Sequence, residues 1–415
     1  MKRIELLAPA GSLKKLKIAF AYGADAVYIG LPAYSLRAKT DFDLKDIKIG
    51  IDYAHQLGKK VYITINIFAH NRHFKLLPNY LKKIKEFKPD AIILADPGVL
   101  AVVKRIIPEI PVHLSTQMNT LNYEAVKFWQ DQGVERVILG RETSLVDIVE
   151  IHKKVPKVEL EIFVHGSMCM SYSGRCYLSA WFNKRSANLG MCTQSCRWNY
   201  NVYLEEPKRP GEMIPVEQDE NGTYIMNSKD LNLMNHLESL SKAGIVSFKI
   251  EGRTKSIYYL ATVIRAYRQA MDLLIVENSD PKNKKLKEIK SELNKIDNRG
   301  YTTGFLLGDE NNSRQEFKTS KAMSDWEFVG EVVGVEKLNS SRQTITLKAH
   351  NSLDSNENIE ILTPRDVYKI KFKEFFTENG KSLDKIRGGT AELYYVEVST
   401  KYDIVNMSLI RKIKA

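Results

Sequence analysis

All four cysteines of this 415-residue chain fall in one 28-residue window: Cys169, Cys176, Cys192 and Cys196, spaced C-x6-C-x15-C-x3-C. Four unrelated buried thiols account poorly for such clustering, and a reducing compartment disfavours two structural disulfides. Four thiolates are instead a ligand set for one metal centre, either structural zinc or an iron–sulfur cubane. Zinc usually draws its thiolates from two close knuckles, and here only Cys192 and Cys196 form one. The longer arm follows Gly166 and contains Gly174, residues that permit irregular backbone around a larger inorganic core. The spacing therefore favours an iron–sulfur cluster, expected to be 4Fe–4S, with zinc as the alternative.

Other chemistries lack their residues. There is no H-E-x-x-H helix, no G-x-S-x-G elbow and no G-x-x-x-x-G-K-[ST] loop, so a zinc protease, an α/β-hydrolase and a P-loop nucleotidase each miss their machinery. His165-Gly166-Ser167 has no placed acid beside it. His70 and His73 are three apart but sit in a loop-like run.

The elements that must position the cysteines follow a regular rhythm. Eight short β-branched runs, at 4–7, 26–29, 61–65, 91–94, 112–114, 136–139, 160–164 and 246–250, alternate with helix-patterned stretches such as 12–22, 44–57, 97–106 and 122–132. Such alternation builds parallel strands with crossover helices, and eight units predict a TIM-type (β/α)8 barrel over residues 1–320. About 80 residues separate the seventh and eighth strands, where a single helix would suffice. That insertion, at about 165–228, holds every cysteine. Within it, 199–204 and 223–226 read as a strand pair, and Ser228 with Asp230 as the cap of a helix over 231–243. A lysine-rich helix is expected over 282–295. From about 326 to 415 the pattern changes to short alternating strands (328–335, 344–347, 359–362, 368–372, 392–398 and 407–409), a small antiparallel β-barrel.

Barrel sites gather where the strands end at their C-terminal side. Those ends supply Arg141, His165, Lys249 and Arg253 as candidate catalytic residues. Asn66, Gln117, Glu251 and Tyr172 are candidate substrate contacts. Asn66 and Asp96 also fit turn or cap positions, Asp96 before Pro97 especially, and Arg141 beside Glu142 also fits a plain ion pair.

The formal charge is +12, from 62 basic and 50 acidic residues, and only one unit of that excess lies from Lys321 onward. A basic barrel suits a polyanion, although solvated lysines explain the charge equally well. The N-terminus lacks a leader pattern and no stretch approaches the roughly 18 apolar residues that cross a bilayer. A cytoplasmic protein with no membrane partner is expected.

The run Glu-Ile-Phe-Val-His-Gly-Ser-Met-Cys-Met-Ser-Tyr-Ser-Gly-Arg-Cys-Tyr-Leu-Ser (161–179) resembles the signature of the collagenase-like family of unassigned peptidases, family thirty-two of that class. Leu-Leu-Ala-Pro-Ala-Gly (6–11), Gly-Ala-Asp-Ala-Val-Tyr-Ile-Gly (23–30), Cys-Thr-Gln-Ser-Cys-Arg-Trp (192–198), Ser-Lys-Asp-Leu (228–231), Lys-Ile-Glu-Gly-Arg-Thr-Lys-Ser (249–256) and Arg-Gly-Tyr-Thr-Thr-Gly (299–304) agree with it. The family carries a protease name, yet its better understood members are RNA hydroxylation proteins and ubiquinone-hydroxylation factors built around a four-cysteine iron–sulfur cluster. The resemblance implies that Cys169, Cys176, Cys192 and Cys196 are the cluster ligands. It further implies hydroxylation of the tRNA wobble uridine to 5-hydroxyuridine, with the anticodon stem-loop as partner and prephenate as a dicarboxylate co-substrate. An anticodon base is already unpaired, which lowers the cost of bringing it to a barrel mouth. Arg141, Lys249 and Arg253 would hold the carboxylates, and Tyr172 and Trp198 either stack on the base or pack in the core. A collagenase-like peptidase and a non-catalytic RNA-binding or assembly factor are the competing functions.

Overall fold

Runs of Val, Ile and Leu bounded by turn residues make strands buried on both faces, and seven of these lie side by side in chain order. They are β1 (Glu5–Pro9), β2 (Ala26–Ile29), β3 (Lys60–Ile65), β4 (Ala91–Leu94), β5 (Val112–Leu114), β6 (Arg136–Ile138) and β7 (Glu159–Ser167), all parallel. After the cysteine segment come the hairpin β8 (Val202–Glu205) and β9 (Met213–Val216), then β10 (Asp230–Asn232) and β11 (Ile245–Ile250). β11 pairs in parallel with β7 on one side and β1 on the other, which closes an eight-stranded TIM-type barrel. The structure, a computed structural model, describes residues 4–31, 34–35, 42–169, 171–172, 174–198, 202–205, 207–208, 210–211, 213–216, 228–274, 280–308 and 322–414. Among them, no helix is long and apolar enough to cross a membrane.

The crossover helices start where the sequence supplies a cap. Asp96 accepts from the Val99 amide at 2.9 Å ahead of Pro97–Ile106, Asn122 accepts from Ala125 ahead of Tyr123–Asp131, and Ser144 with Asp147 forms a capping box for Leu145–Lys154. Asp96 is thus the cap that its place before Pro97 implied.

Two local expectations between the seventh and eighth barrel strands differ from the structure. β8 pairs with Met213–Val216, inside the segment read as a polar loop, while 223–226 lies outside the described residues. Asp230 begins a strand rather than capping a helix: β10 runs antiparallel to the top of β7, with Leu231 opposite Gly166 and Asn232 opposite His165. The helix starts only at Leu237. The upper end of β7 extends past β6, so its free backbone groups recruit a pairing partner, and that overrides local helical preference. β12 (Tyr301–Thr302) then adds in parallel to β10.

The chain divides into two units, residues 1–20, 24–255 and 298–322 in one and 21–23, 256–297 and 323–415 in the other. In the second, antiparallel strands lie in the order 367–370, 359–362, 409–413, 326–337, 342–349, 393–399, 375–376 and 382–383. Five of the six expected strands are present; the sixth, expected at 407–409, starts only at Leu409, because Met407 sits in a turn at φ +71°. Their alternating inner residues, including Val329, Val332, Ile345, Leu347, Ile361, Phe375 and Val396, form its core. Arg411, fully buried, donates to Glu360 at 2.6 and 2.9 Å and to Glu292 at 2.6 Å.

Candidate active site and metal centre

Side chains alternate across a strand, so every second residue of a barrel strand points inward. In most such barrels these positions are branched apolar residues. Here the period-two positions include Lys60-x-Tyr62-x-Thr64 on β3, Glu159-x-Glu161-x-Phe163-x-His165 on β7 and Ser247-x-Lys249 on β11, and they form a polar column. At the entry end, Glu5 accepts from Tyr62 at 2.6 Å, Ser247 at 2.9 Å and Arg136 at 2.7 Å. Arg136 also donates to Glu159 at 2.7 Å and Glu161 at 3.1 Å. Glu161, with no exposed surface, accepts from the Lys249 ammonium at 2.7 Å.

The energetics of that column favour charged partners. Burial opposes ionisation of Glu161, but Lys249 and Arg136 outweigh it and hold the carboxyl below its usual range. Burial pulls Lys249 down, partly countered by Glu161. His113, beside this pair, is held well below its ordinary value by burial and by the cations Arg136, Lys249 and Lys60, so it is neutral.

Above the column the mouth is lined by the expected residues, most of them already engaged. The Asn66 amide donates to Gln117 Oε1 at 2.7 Å, and Gln117 Nε2 donates back to the Asn66 carbonyl at 2.8 Å. Arg253 donates to Ser35 and, at 2.9 Å, to Thr64, with its guanidinium 5.6 Å from the Tyr28 ring centroid. The Tyr28 hydroxyl donates to Ile250 O at 2.9 Å and to Glu251 at 3.3 Å. His165 is buried and its ring lies 5.6 Å from that of Tyr301. Burial and the neighbouring Lys255 pull it down to about 3, so it is neutral at physiological pH.

Arg141 and Tyr172 stand apart from this group. With Glu142, Met168, Cys169, Ser171 and Phe305 they line a cavity of about 100 Å³. The Arg141 guanidinium sits 4.1 Å from the Phe163 ring centroid, and the Lys249 ammonium approaches the same ring at 5.4 Å. Arg141 is thus the cation facing the cavity, with Lys249 one ring deeper.

The cysteine segment is seated on this mouth. Gly174 has a φ of +73°, and a Cβ there would lie 2.7 Å from Gln117 Cγ, so only glycine lets the loop rest on that side chain. Gly166, at φ +116°, likewise lies against Glu251. Arg175 donates to Asn119 at 3.1 Å, and the Phe68 amide donates to Asn188 O at 3.2 Å.

All four cysteines are free thiols. Burial pushes the Cys196 thiol up, Arg197 pulls it down, and Cys169, Cys192 and Cys176 each push it further up. Among the described residues, no three His, Cys, Asp or Glu side chains are drawn to ligating distance. Cys169, Cys176 and Cys192 thus lie within electrostatic reach of Cys196 but short of a ligating cluster. Gln194 N–H and the Ser179 hydroxyl point at Cys192 Sγ from 3.4 and 3.9 Å, the kind of donors that stabilise a metal-bound thiolate. The donor set fits a group that neutralises four thiolates.

Reasoning from strand ends alone missed Glu5, Arg136 and Glu161. The signal was present as Glu159-x-Glu161 in an otherwise apolar run, a pattern that places two carboxylates on one face of a strand.

Residues 11–316 match the family described as "Peptidase family U32", and residues 324–411 match "Peptidase family U32 C-terminal domain". The chain is 42% identical over 420 residues to the "tRNA hydroxylation protein P" of Escherichia coli (strain K12), covering 92% of this chain and 90% of that one. It is 44% identical over 409 residues to the protein of the same name in Helicobacter pylori (strain J99), covering 95% and 96%. A third relative, the "23S rRNA 5-hydroxycytidine C2501 synthase" of Escherichia coli (strain K12), is 35% identical over 278 residues, covering 67% of this chain and 41% of that one. With three quarters of its length inside the main family match and full-length relatives above 40% identity, the chain belongs to peptidase family U32.

Proposed function

We infer that this protein is an RNA-modifying enzyme that hydroxylates the wobble uridine of tRNA to 5-hydroxyuridine, with its four cysteines holding a 4Fe–4S cluster. The observation that supports this reading most is the cavity lined by both Arg141 and Cys169, which brings a guanidinium and a cysteine thiol together. The names of the relatives, two tRNA hydroxylation proteins and an rRNA hydroxycytidine synthase, support hydroxylation of an RNA base. The basic charge of the first 320 residues supports a polyanionic substrate.

When bound by Cys169, Cys176, Cys192 and Cys196, an iron–sulfur cluster supplies one-electron chemistry beside the cavity. The chain's own residues do the rest. Arg141 receives a carboxylate of a dicarboxylate co-substrate such as prephenate by charge-assisted hydrogen bonds, and stacking on Phe163 fixes its plane. Lys249 adds positive potential from beneath, held in place by Glu161, while Arg253 is held by Ser35 and Thr64 and shapes the mouth. Tyr172 offers a ring at the cavity edge for the base. Neutral His165 carries no charge to compete for the anion.

The test is nucleoside mass spectrometry on tRNA from cells lacking the gene, complemented with wild type or with Cys169→Ala. The expected outcome is loss of 5-hydroxyuridine and its derivatives, restored by wild type alone. An unchanged profile in the deletion overturns the reading.

A further inference from the structure

A short helix, Leu178–Asn183, lies between Cys176 and Cys192 and turns large aromatic rings to solvent. Tyr177 is 70% exposed and Trp181 71%, and the four-residue spacing sets them one above the other on one helix face. Phe182 and Trp198 are also exposed, with ring centroids 5.7 Å apart. Four large rings exposed within one 22-residue segment carry a hydration cost that a purely structural loop has no reason to bear.

The segment is tied to the cysteine loop by hydrogen bonds. The Trp181 amide donates to Tyr177 O at 2.9 Å, and the helix ends on Lys184 in the left-handed conformation at φ 53°. Ser179, buried beneath the exposed face, accepts from the Thr193 amide at 3.0 Å and lies 3.9 Å from Cys192 Sγ. The rings therefore form a platform tied to the cysteine loop.

Charge identifies the occupant. From residue 162 to residue 204 there is no Asp or Glu, while Arg175, Lys184, Arg185 and Arg197 are all basic. Lys184 and Arg185 are exposed directly after the helix. Aromatic faces interleaved with cations, on a segment that carries no carboxylate of its own, are the chemistry of single-stranded nucleic acid binding: bases stack on the rings while the cations follow the phosphates. A peptide partner gains nothing from an acid-free segment unless it is itself acidic, and an acidic peptide brings no rings to stack.

We propose that Tyr177, Trp181, Phe182 and Trp198, with Lys184 and Arg185, form the surface on which unpaired nucleotides of the substrate RNA loop stack, delivering one base to the adjoining mouth. This rests on the RNA-modification reading above and assigns its recognition surface.

Fluorescence anisotropy on the full-length protein tests it, with an anticodon stem-loop RNA as one probe and a fully paired duplex of the same stem as the other. Wild type is expected to prefer the loop RNA. Trp181→Ala should bind it about tenfold more weakly or worse while leaving the salt-sensitive duplex binding unchanged, and Trp181→Phe should largely restore the preference. If Trp181→Ala does not fold, the surface variant Lys184→Glu with Arg185→Glu carries the test and is expected to lose loop binding. Wild type that treats loop and duplex alike overturns the RNA reading itself, and this surface with it. Wild type that prefers the loop while every variant binds as wild type does overturns the surface alone. A Trp181→Ala change that instead shifts the sedimentation of a dimer to a monomer, with RNA affinity intact, also overturns it and makes the face a self-association surface.

Discussion

The Lys249 ammonium and the Glu161 carboxylate meet at 2.7 Å in the middle of the barrel, both almost wholly removed from water. Arg136 reaches the same carboxylate from the other side at 3.1 Å. One anion thus serves two buried cations, and the polar column of the barrel depends on it.

Glu161→Gln should accordingly be more damaging than an ordinary core substitution. It leaves Lys249 and Arg136 buried with one fewer countercharge, a loss of about 3–5 kcal/mol. Chemical denaturation should show a lower midpoint, and the double variant Glu161→Gln with Lys249→Met should lose less than the sum of the two single changes.

Acid should destabilise the barrel through two groups whose signs agree. Glu161 is ionised and held below its usual range, so its contribution is present at neutral pH and is lost as pH falls through the acid range where it protonates. His165 is pulled from 6.5 to about 3, so between those values the unfolded chain binds a proton that the folded one refuses. Stability should fall by on the order of 2 kcal/mol on going from neutrality to about pH 5 from His165 alone. A His165→Gln variant should show a flatter melting profile over that interval, and an unaltered slope would contradict the burial assigned to the ring.

Gly174→Val should separate seating of the cysteine loop from folding of the barrel. The new side chain meets Gln117 and needs a left-handed backbone that a β-branched residue avoids, a cost of about 1–3 kcal/mol borne locally. The expected result is reduced metal retention and faster proteolysis between Cys169 and Cys196, with the barrel melting transition little changed.

Arg141→Leu should raise the KM for the dicarboxylate co-substrate by roughly tenfold to a hundredfold, the value of a charge-assisted hydrogen bond. Arg141→Lys should recover little, since a lysine neither forks onto a carboxylate nor stacks flat on Phe163. Steady-state kinetics with varied co-substrate distinguishes this from a fall in kcat.

Metal analysis separates the two candidate centres. Four thiolates around an iron–sulfur cluster predict iron and acid-labile sulfide in equal amounts, with visible absorbance lost in each of the Cys169, Cys176, Cys192 and Cys196→Ser variants. Zinc without sulfide and without colour would replace the cluster by a structural site.

Much of this protein could be read from local pattern. The eight barrel strands fall within three residues of the largely apolar, β-branched runs that announce them, because burial on both faces favours apolar residues along a strand. Asp96 before Pro97 marks its helix start, and the cysteine window marks the candidate metal centre before any coordinate is known. These features depend on neighbours a few residues away.

The tertiary structure alone decided what depends on distant residues. Glu161, Arg136, Glu5 and Lys249 come from four strands and meet only when the barrel closes, so no local pattern pairs them. Asp230–Asn232 became a strand because the upper end of β7 offers unpaired backbone groups, a demand that outweighs local helical periodicity. The cysteine loop found the mouth because Gly174 lacks a side chain where Gln117 stands. Local chemistry specified the parts, and barrel closure, a long-range event, chose which charges would share the same dry interior.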